Sequence, residues 1–270
     1  MVEIETEATS QEEIILKKGD TEVKILPQGA YIASFKVSQE EVLLPDQYFE
    51  ISGSPKKRRG GIPLLFPQAG PITEKTDQFQ LPQHGFARDK TWEIERISQE
   101  EGVLTLKLTS DEETRSMFPY DFEAEYTIEI DEGKLKTTLD ITNNSNENLP
   151  IAPGFHPYIE ISIDLKKQIE TNIERFDPET HNWDKADEQF KDLPDGGVTI
   201  EIPGKGVVKI RTSEALKQLV LWTEEERPHI CFEPWVGGAN TILHEDQRIN
   251  VPPGETTSLW MDMSFEKTQQ

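Results

Sequence analysis

Apolar and polar residues alternate along most of this chain, and that period of two restricts what it can fold into. The segments Glu22-Val-Lys-Ile-Leu26, Trp92-Glu-Ile-Glu-Arg-Ile97, Val103-Leu-Thr-Leu-Lys-Leu108 and Lys134-Leu-Lys-Thr-Thr-Leu-Asp-Ile141 mostly place an apolar side chain at every second position. Such a segment is a strand with one buried and one wet face. Further strand-like runs occupy 122–130, 198–202, 207–210, 219–222, 229–232 and 258–265. Turn signals such as Asp131-Glu-Gly133, Asn143-Asn-Ser-Asn146 and Pro203-Gly-Lys-Gly206 separate them. One segment carries a helix signature, with Ser110 as N-cap and Glu113 at the capping-box position before Met117. An all-β fold with very little helix follows, a large β-sandwich or barrel. The strand rhythm crosses the middle of the chain without a linker or repeat, so residues 1–270 are expected to form one domain. Two stretches break the rhythm: 67–83, polar and rich in Gly and Pro, and 175–197, acidic and poorly periodic.

Composition narrows the function. Lys and Arg number 28 against 51 Asp and Glu, a formal charge of −23. A field of that sign repels phosphate backbones and anionic lipids, so neither nucleic acid nor a membrane is expected as partner. Cys231 is the sole cysteine, which excludes an intramolecular disulfide and a thiolate metal cluster. The first residues are acidic, unlike a secretory signal, and no apolar run approaches the ~20 residues that span a bilayer. The expectation is a soluble, cytoplasmic protein.

Glu233 stands out among the carboxylates because its neighbours in Ile230-Cys-Phe-Glu-Pro-Trp235 are apolar or aromatic. A carboxylate there loses solvation and needs a partner or a task. Alternation would put His229, Cys231 and Glu233 on one strand face. His156 lies in the similarly apolar Ile151-Ala-Pro-Gly-Phe-His-Pro-Tyr158, and His84 in the turn-forming Leu81-Pro-Gln-His-Gly-Phe-Ala-Arg88. His181 and His244 sit in polar loops and are expected to be solvated. Basic residues are scarce, so Lys56-Lys-Arg-Arg59 before Gly60-Gly61 is conspicuous; the glycines permit unusual backbone angles that could turn one Arg inward. Arg88 offers a second guanidinium fork. P-loop, GxGxxG, HExxH and GxSxG motifs are absent, and Cys231 reads as a buried hydrophobe rather than a nucleophile. No cofactor is expected.

Arg59-Gly-Gly-Ile-Pro-Leu-Leu-Phe-Pro67, Leu81-Pro-Gln-His-Gly-Phe-Ala-Arg88 with Trp92, Gly154-Phe-His-Pro-Tyr158 and Cys231-Phe-Glu-Pro-Trp235 occur in that order. Together they resemble the aldose 1-epimerase (galactose mutarotase-like) superfamily, which includes hexose-6-phosphate 1-epimerases. The resemblance implies a large antiparallel β-sandwich that interconverts α and β anomers of an aldose through the open-chain aldehyde, without metal. It implies Glu233 as general base at the anomeric hydroxyl and His156 as general acid at the ring oxygen. His84 and Arg59, with Gln83 beside them, would contact the sugar. Arg88 would help bind the phosphate in hexose-phosphate members. The family commonly adds an Asp between the acid and the base; here Asp177, Asp184 and Asp195 are all conceivable. The Glu-Pro-Trp form and the net charge favour an unphosphorylated aldose. The rival readings are a metal site of His84, His156 and Glu233, a non-catalytic sugar-binding relative, and a glycosidase, which would need a second buried carboxylate.

Overall fold

The computed structural model describes residues 13–51, 54–183, 187–190, 193–224 and 226–268. Its largest sheet has eight strands in the order Glu170–Thr171, Val198–Ile202, Gly206–Thr212, Thr256–Lys267, Lys134–Asn143, Phe122–Asp131, Val103–Thr109 and Glu93–Ser98. Every pairing in it is antiparallel. Along Phe122–Asp131 the side chains alternate between buried and half-buried, so one face is apolar as the sequence pattern requires. A six-stranded sheet runs Asp187–Phe190, Gln218–Trp222, His229–Trp235, Gly154–Phe155 and Leu64–Leu65, with Tyr158–Glu160 also paired to His229–Trp235. A four-stranded sheet, Ile14–Lys18 to Glu40–Glu41, and the hairpin Gln47–Ile51/Ser54–Arg59 complete the main architecture. The main core joins these layers: Leu139, Ile141, Ile200 and Ile210 from the large sheet share it with Leu219, Leu221, Ile230 and Phe232 from the smaller one. Each such side chain contributes ~1.5–3 kcal/mol by leaving water.

The all-β expectation is met, and the strands begin and end within a few residues of the alternating runs. The helix is shorter than expected, Glu112–Met117, and its cap is Asp111 rather than Ser110. Asp111 Oδ1 accepts the Thr114 N–H at 2.6 Å, while Thr114 Oγ1 accepts the Asp111 N–H at 2.7 Å. Moving the cap one residue puts Thr114, not Glu113, at the capping-box position. The Ser110 hydroxyl instead accepts the N–H of Phe122 at the start of the next strand.

Stretch 67–83 holds no strand and is tied down through the buried Gln68 side chain. Its Nε2 donates to Gly238 O at 2.8 Å and its Oε1 accepts the Ile242 N–H at 3.0 Å. Stretch 175–197 contributes an edge strand, Asp187–Phe190, against Gln218–Trp222. No helix among the described residues is long and apolar enough to cross a membrane.

Candidate active site

Two adjacent strands of the six-stranded sheet, Gln218–Trp222 and His229–Trp235, pair with Val220 opposite Glu233 and Trp222 opposite Cys231. Both are buried on both faces for most of their length, and the period of two sorts their side chains. Leu219, Leu221, Ile230 and Phe232 point into the core. Val220, Trp222, Glu233 and Trp235 line a cleft of about 680 Å³ on the opposite face, a volume within the ~300–1,000 Å³ range of small-molecule sites. The His229, Cys231, Glu233 face expected from alternation is present: the His229 ring packs on Tyr158 and Trp222, while Cys231 lies beside Glu233.

All six sequence-predicted site residues, Arg59, Gln83, His84, Arg88, His156 and Glu233, line this one cleft. They arrive from four places in the chain, and backbone geometry accounts for two of them. Gly61, at φ +59°, lies so close to the neighbouring strand that a Cβ would sit 2.1 Å from Ile32 O; this close approach carries Arg59 to the cleft rim. Gly85, at φ +69°, would place a Cβ 2.0 Å from Phe66 O. Its tight turn, closed by the Gly85 N–H on Pro82 O at 2.9 Å, presents Gln83, His84 and Arg88.

At the base of the cleft His156 Nε2 lies 3.4 Å from Glu233 Oε2, and both residues are buried. Tyr158 stacks flat on the His156 imidazole, centroids 4.6 Å apart and planes within 6°. Burial, with help from His84, Arg88 and Arg59, holds the His156 pKa well below that of an ordinary imidazole. The His84 ring stands edge-on to His156 at 5.7 Å. Its Nδ1 donates to the Ala69 carbonyl, since only an N–H can face a carbonyl oxygen. Burial and the Arg88 charge lower its pKa to about 4. His84 is thus neutral at pH 7, with Nε2 left as a hydrogen-bond acceptor.

The arginines differ in how they are held. Arg59 makes a two-point ion pair with Glu224, at 2.9 and 3.2 Å, and lies 5.0 Å above the Trp222 ring. Arg58, which sequence reading did not single out, also lines the cleft; it forks onto Asp46 at 2.7 and 2.8 Å and covers Tyr31 at 3.5 Å. Arg88 donates to the Gln83 carbonyl at 3.0 Å and has no carboxylate partner among the described residues.

Of the three candidate aspartates, Asp177 is used in its own turn, accepting from Glu179 N–H and Thr180 Oγ1 at 3.0 and 2.9 Å. Asp195 is exposed, and Asp184 lies outside the described residues. Among the described residues the carboxylates lining the cleft are Glu233 and Asp89. His181 corrects an expectation: it packs edge-on against Phe176 and Trp183 at 5.2 and 4.8 Å rather than standing in solvent. His244, 39% exposed, lies beside Glu74. Gln28, Tyr31, Tyr48 and Trp222 also line the cleft. They come from separate strands and loops, and nothing in their local sequence marks them. For a metal, the set within reach among the described residues is His156, Cys231 and Glu233, whose ligand atoms lie within 4.8 Å of one another; His84 is not part of it.

Comparison with known proteins agrees with this architecture. The family model described as aldose 1-epimerase matches residues 12–179. A protein of Escherichia coli (strain K12), provisionally described as a glucose-6-phosphate 1-epimerase, is 30% identical over 155 residues, 55% of this chain and 48% of that protein. One from Cenchrus ciliaris with the same description is 26% identical over 223 residues, covering 77% of this chain and 65% of its own length. The chain therefore spans about half to two thirds of these curated relatives. Among solved structures, the Slr1438 protein of Synechocystis sp. PCC 6803 superposes with a TM-score of 0.83 at 24% identity, over 99% of this chain and 100% of that one. A galactose mutarotase related enzyme of Lactobacillus acidophilus gives 0.77 at 20% identity, over 96% and 99%. At these identities the likeness establishes a shared fold.

Proposed function

The chain belongs to the aldose 1-epimerase family, and from that premise we propose that it interconverts the α and β anomers of an aldohexose by acid–base ring opening at Glu233 and His156. The observation that carries the proposal is the buried His156–Glu233 pair, 3.4 Å apart at the base of a sugar-sized cleft. Ring opening removes a proton from the C1 hydroxyl and delivers one to the ring oxygen. The Glu233 carboxylate accepts the first, and the His156 imidazolium donates the second as the C1–O bond breaks. Rotation about C1–C2 turns the other aldehyde face toward the ring oxygen's hydroxyl, and the two transfers reverse. The pair begins and ends with one proton between its members, so the cycle leaves the net charge of the site unchanged. Burial and Arg88 oppose the charged imidazole, whereas the adjacent carboxylate favours it. The productive state is the singly protonated pair acting as a unit. In this reading the His84 Nε2 acceptor, Gln83 and Arg59, which line the cleft, bind sugar hydroxyls, and Trp222 and Trp235 are its apolar walls.

A hexose 6-phosphate is the second reading. It is favoured by Arg88, a cleft guanidinium whose one described partner is a neutral carbonyl, and by the description carried by the curated relatives. The test follows anomer interconversion of α-glucose, α-galactose and α-glucose 6-phosphate by NMR exchange, with the spontaneous rate subtracted. Acceleration that falls ~10²–10⁴-fold in Glu233→Gln, with the fold unchanged by circular dichroism, is the expected outcome. Binding of these sugars without any acceleration would instead identify a non-catalytic relative.

A further inference from the structure

Cys231 has no part in the proposed ring opening, yet it lies close to both residues assigned to it. An imidazole nitrogen of His156, the Sγ of Cys231 and a carboxylate oxygen of Glu233 lie within 4.8 Å of one another, and the His156 to Glu233 separation is 3.4 Å. Around a tetrahedral zinc ion, with Zn–S of ~2.3 Å and Zn–N and Zn–O of ~2.0–2.2 Å, neighbouring ligand atoms stand roughly 3.3–3.6 Å apart. The carboxylate–imidazole edge already has that length, and the thiol edges close by a movement of about 1 Å. The three residues are held by well-packed neighbours. Cys231 and Glu233 alternate along one strand, and His156 is braced by Tyr158, which pairs with Cys231 across the strands. The donor set of one sulfur, one nitrogen and one oxygen matches the preference of zinc and excludes magnesium and calcium, which seek oxygen alone. The cleft lies open above His156 and Glu233, which leaves a fourth position for water or a sugar hydroxyl.

We propose that Cys231, His156 and Glu233 form a three-ligand Zn2+ site at the base of the cleft, through which the ion inhibits the protein. Binding converts the Cys231 thiol to a thiolate, its proton passing to solvent. The ion occupies the lone pair of His156 and the carboxylate of Glu233, so neither can transfer a proton. The inhibition rests on the acid–base reading given above; the binding does not.

Two measurements keep them apart. Zn2+ is titrated against the protein in competition with a chromophoric chelator, and Co2+ is used to read thiolate coordination through its near-ultraviolet charge-transfer band. Wild type should bind one ion per chain and show that band, and its anomer interconversion should fall with occupancy. Cys231→Ala and Cys231→Ser should keep the uninhibited rate and circular dichroism, lose the band, and need at least tenfold more Zn2+ for half-inhibition. Absence of one-to-one binding and of the cobalt band in wild type would overturn the site. So would equal Zn2+ sensitivity of wild type and both variants. A cobalt band in a protein that accelerates no sugar would uphold the metal site and count against the acid–base reading alone.

Discussion

Arg88 and its two neighbours at the cleft rim have the same side chain and three different electrostatic states. Arg58 and Arg59 each spend their fork on a carboxylate, Asp46 and Glu224, so most of their field is cancelled locally. Arg88 meets only a carbonyl among the described residues, and its charge is felt as far as the His84 and His156 rings, whose pKa values it helps lower. A charge-assisted hydrogen bond to phosphate is worth ~1.5–3 kcal/mol. Arg88→Ala is therefore expected to raise the KM for hexose 6-phosphate about 10–100-fold, with a much smaller effect on free hexose. Equal changes for both sugars, measured in parallel, would remove Arg88 from phosphate recognition. At this scale the sequence was informative where chemistry and context clash: Glu233 and His156 stand in apolar surroundings, and the structure places them in contact. The ion pairs that occupy Arg58 and Arg59 were not legible, because Asp46 and Glu224 lie 12 and 165 residues away from them.

Two of the four segments that line the site lie beside glycines, Gly61 and Gly85, whose backbone leaves no room for a side chain. At Gly85 the backbone is left-handed and a Cβ would overlap the Phe66 carbonyl. An L side chain in that conformation costs ~1–2 kcal/mol before any clash. Gly85→Ala should lower the unfolding free energy in denaturant titration by more than that amount. It should also depress activity beyond what stability explains, because the turn presents Gln83, His84 and Arg88 together. Unchanged kinetics in a destabilised protein would detach the turn from the site. The strands themselves were legible from alternation, since a half-buried strand must repeat every second residue. The helix cap was displaced by one residue because Ser110 is needed by the neighbouring strand, a demand that no local pattern records.

The whole molecule carries a formal charge of −23, yet its cleft gathers three arginines. Beyond the Debye length of ~8 Å at physiological salt the acidic surface is screened, whereas inside the cleft the Arg88 charge, without a carboxylate partner among the described residues, acts at short range. Two histidines outside the proposed proton-transfer pair, His84 and His229, are kept neutral mainly by burial, with His84 lowered to about 4 and His229 to about 3. The unfolded chain protonates each of them near the usual ~6.5 while the folded chain does not, so stability falls as pH falls below that value. Between pH 6.5 and 5 each contributes a slope approaching ~1.4 kcal/mol per pH unit. His229→Phe, away from the proposed proton transfers and still able to stack on Trp222, should flatten the profile by one such increment in thermal melts. A profile identical to wild type would show that His229 is not held neutral.

Sequence by itself determined the all-β class, the approximate strand positions and the candidacy of His156 and Glu233. Burial periodicity and the cost of desolvating a charge are local properties written into neighbouring residues. Tertiary structure alone decided which face of the strands bearing Val220 and Glu233 became core and which became cleft. It also decided that Trp222, Tyr31 and Arg58 wall the cleft, that two of its arginines are already paired, and that Cys231 lies within 4.8 Å of His156 and Glu233. Those outcomes depend on strand register and on loops meeting across the fold, where separation in sequence carries no information about distance in space.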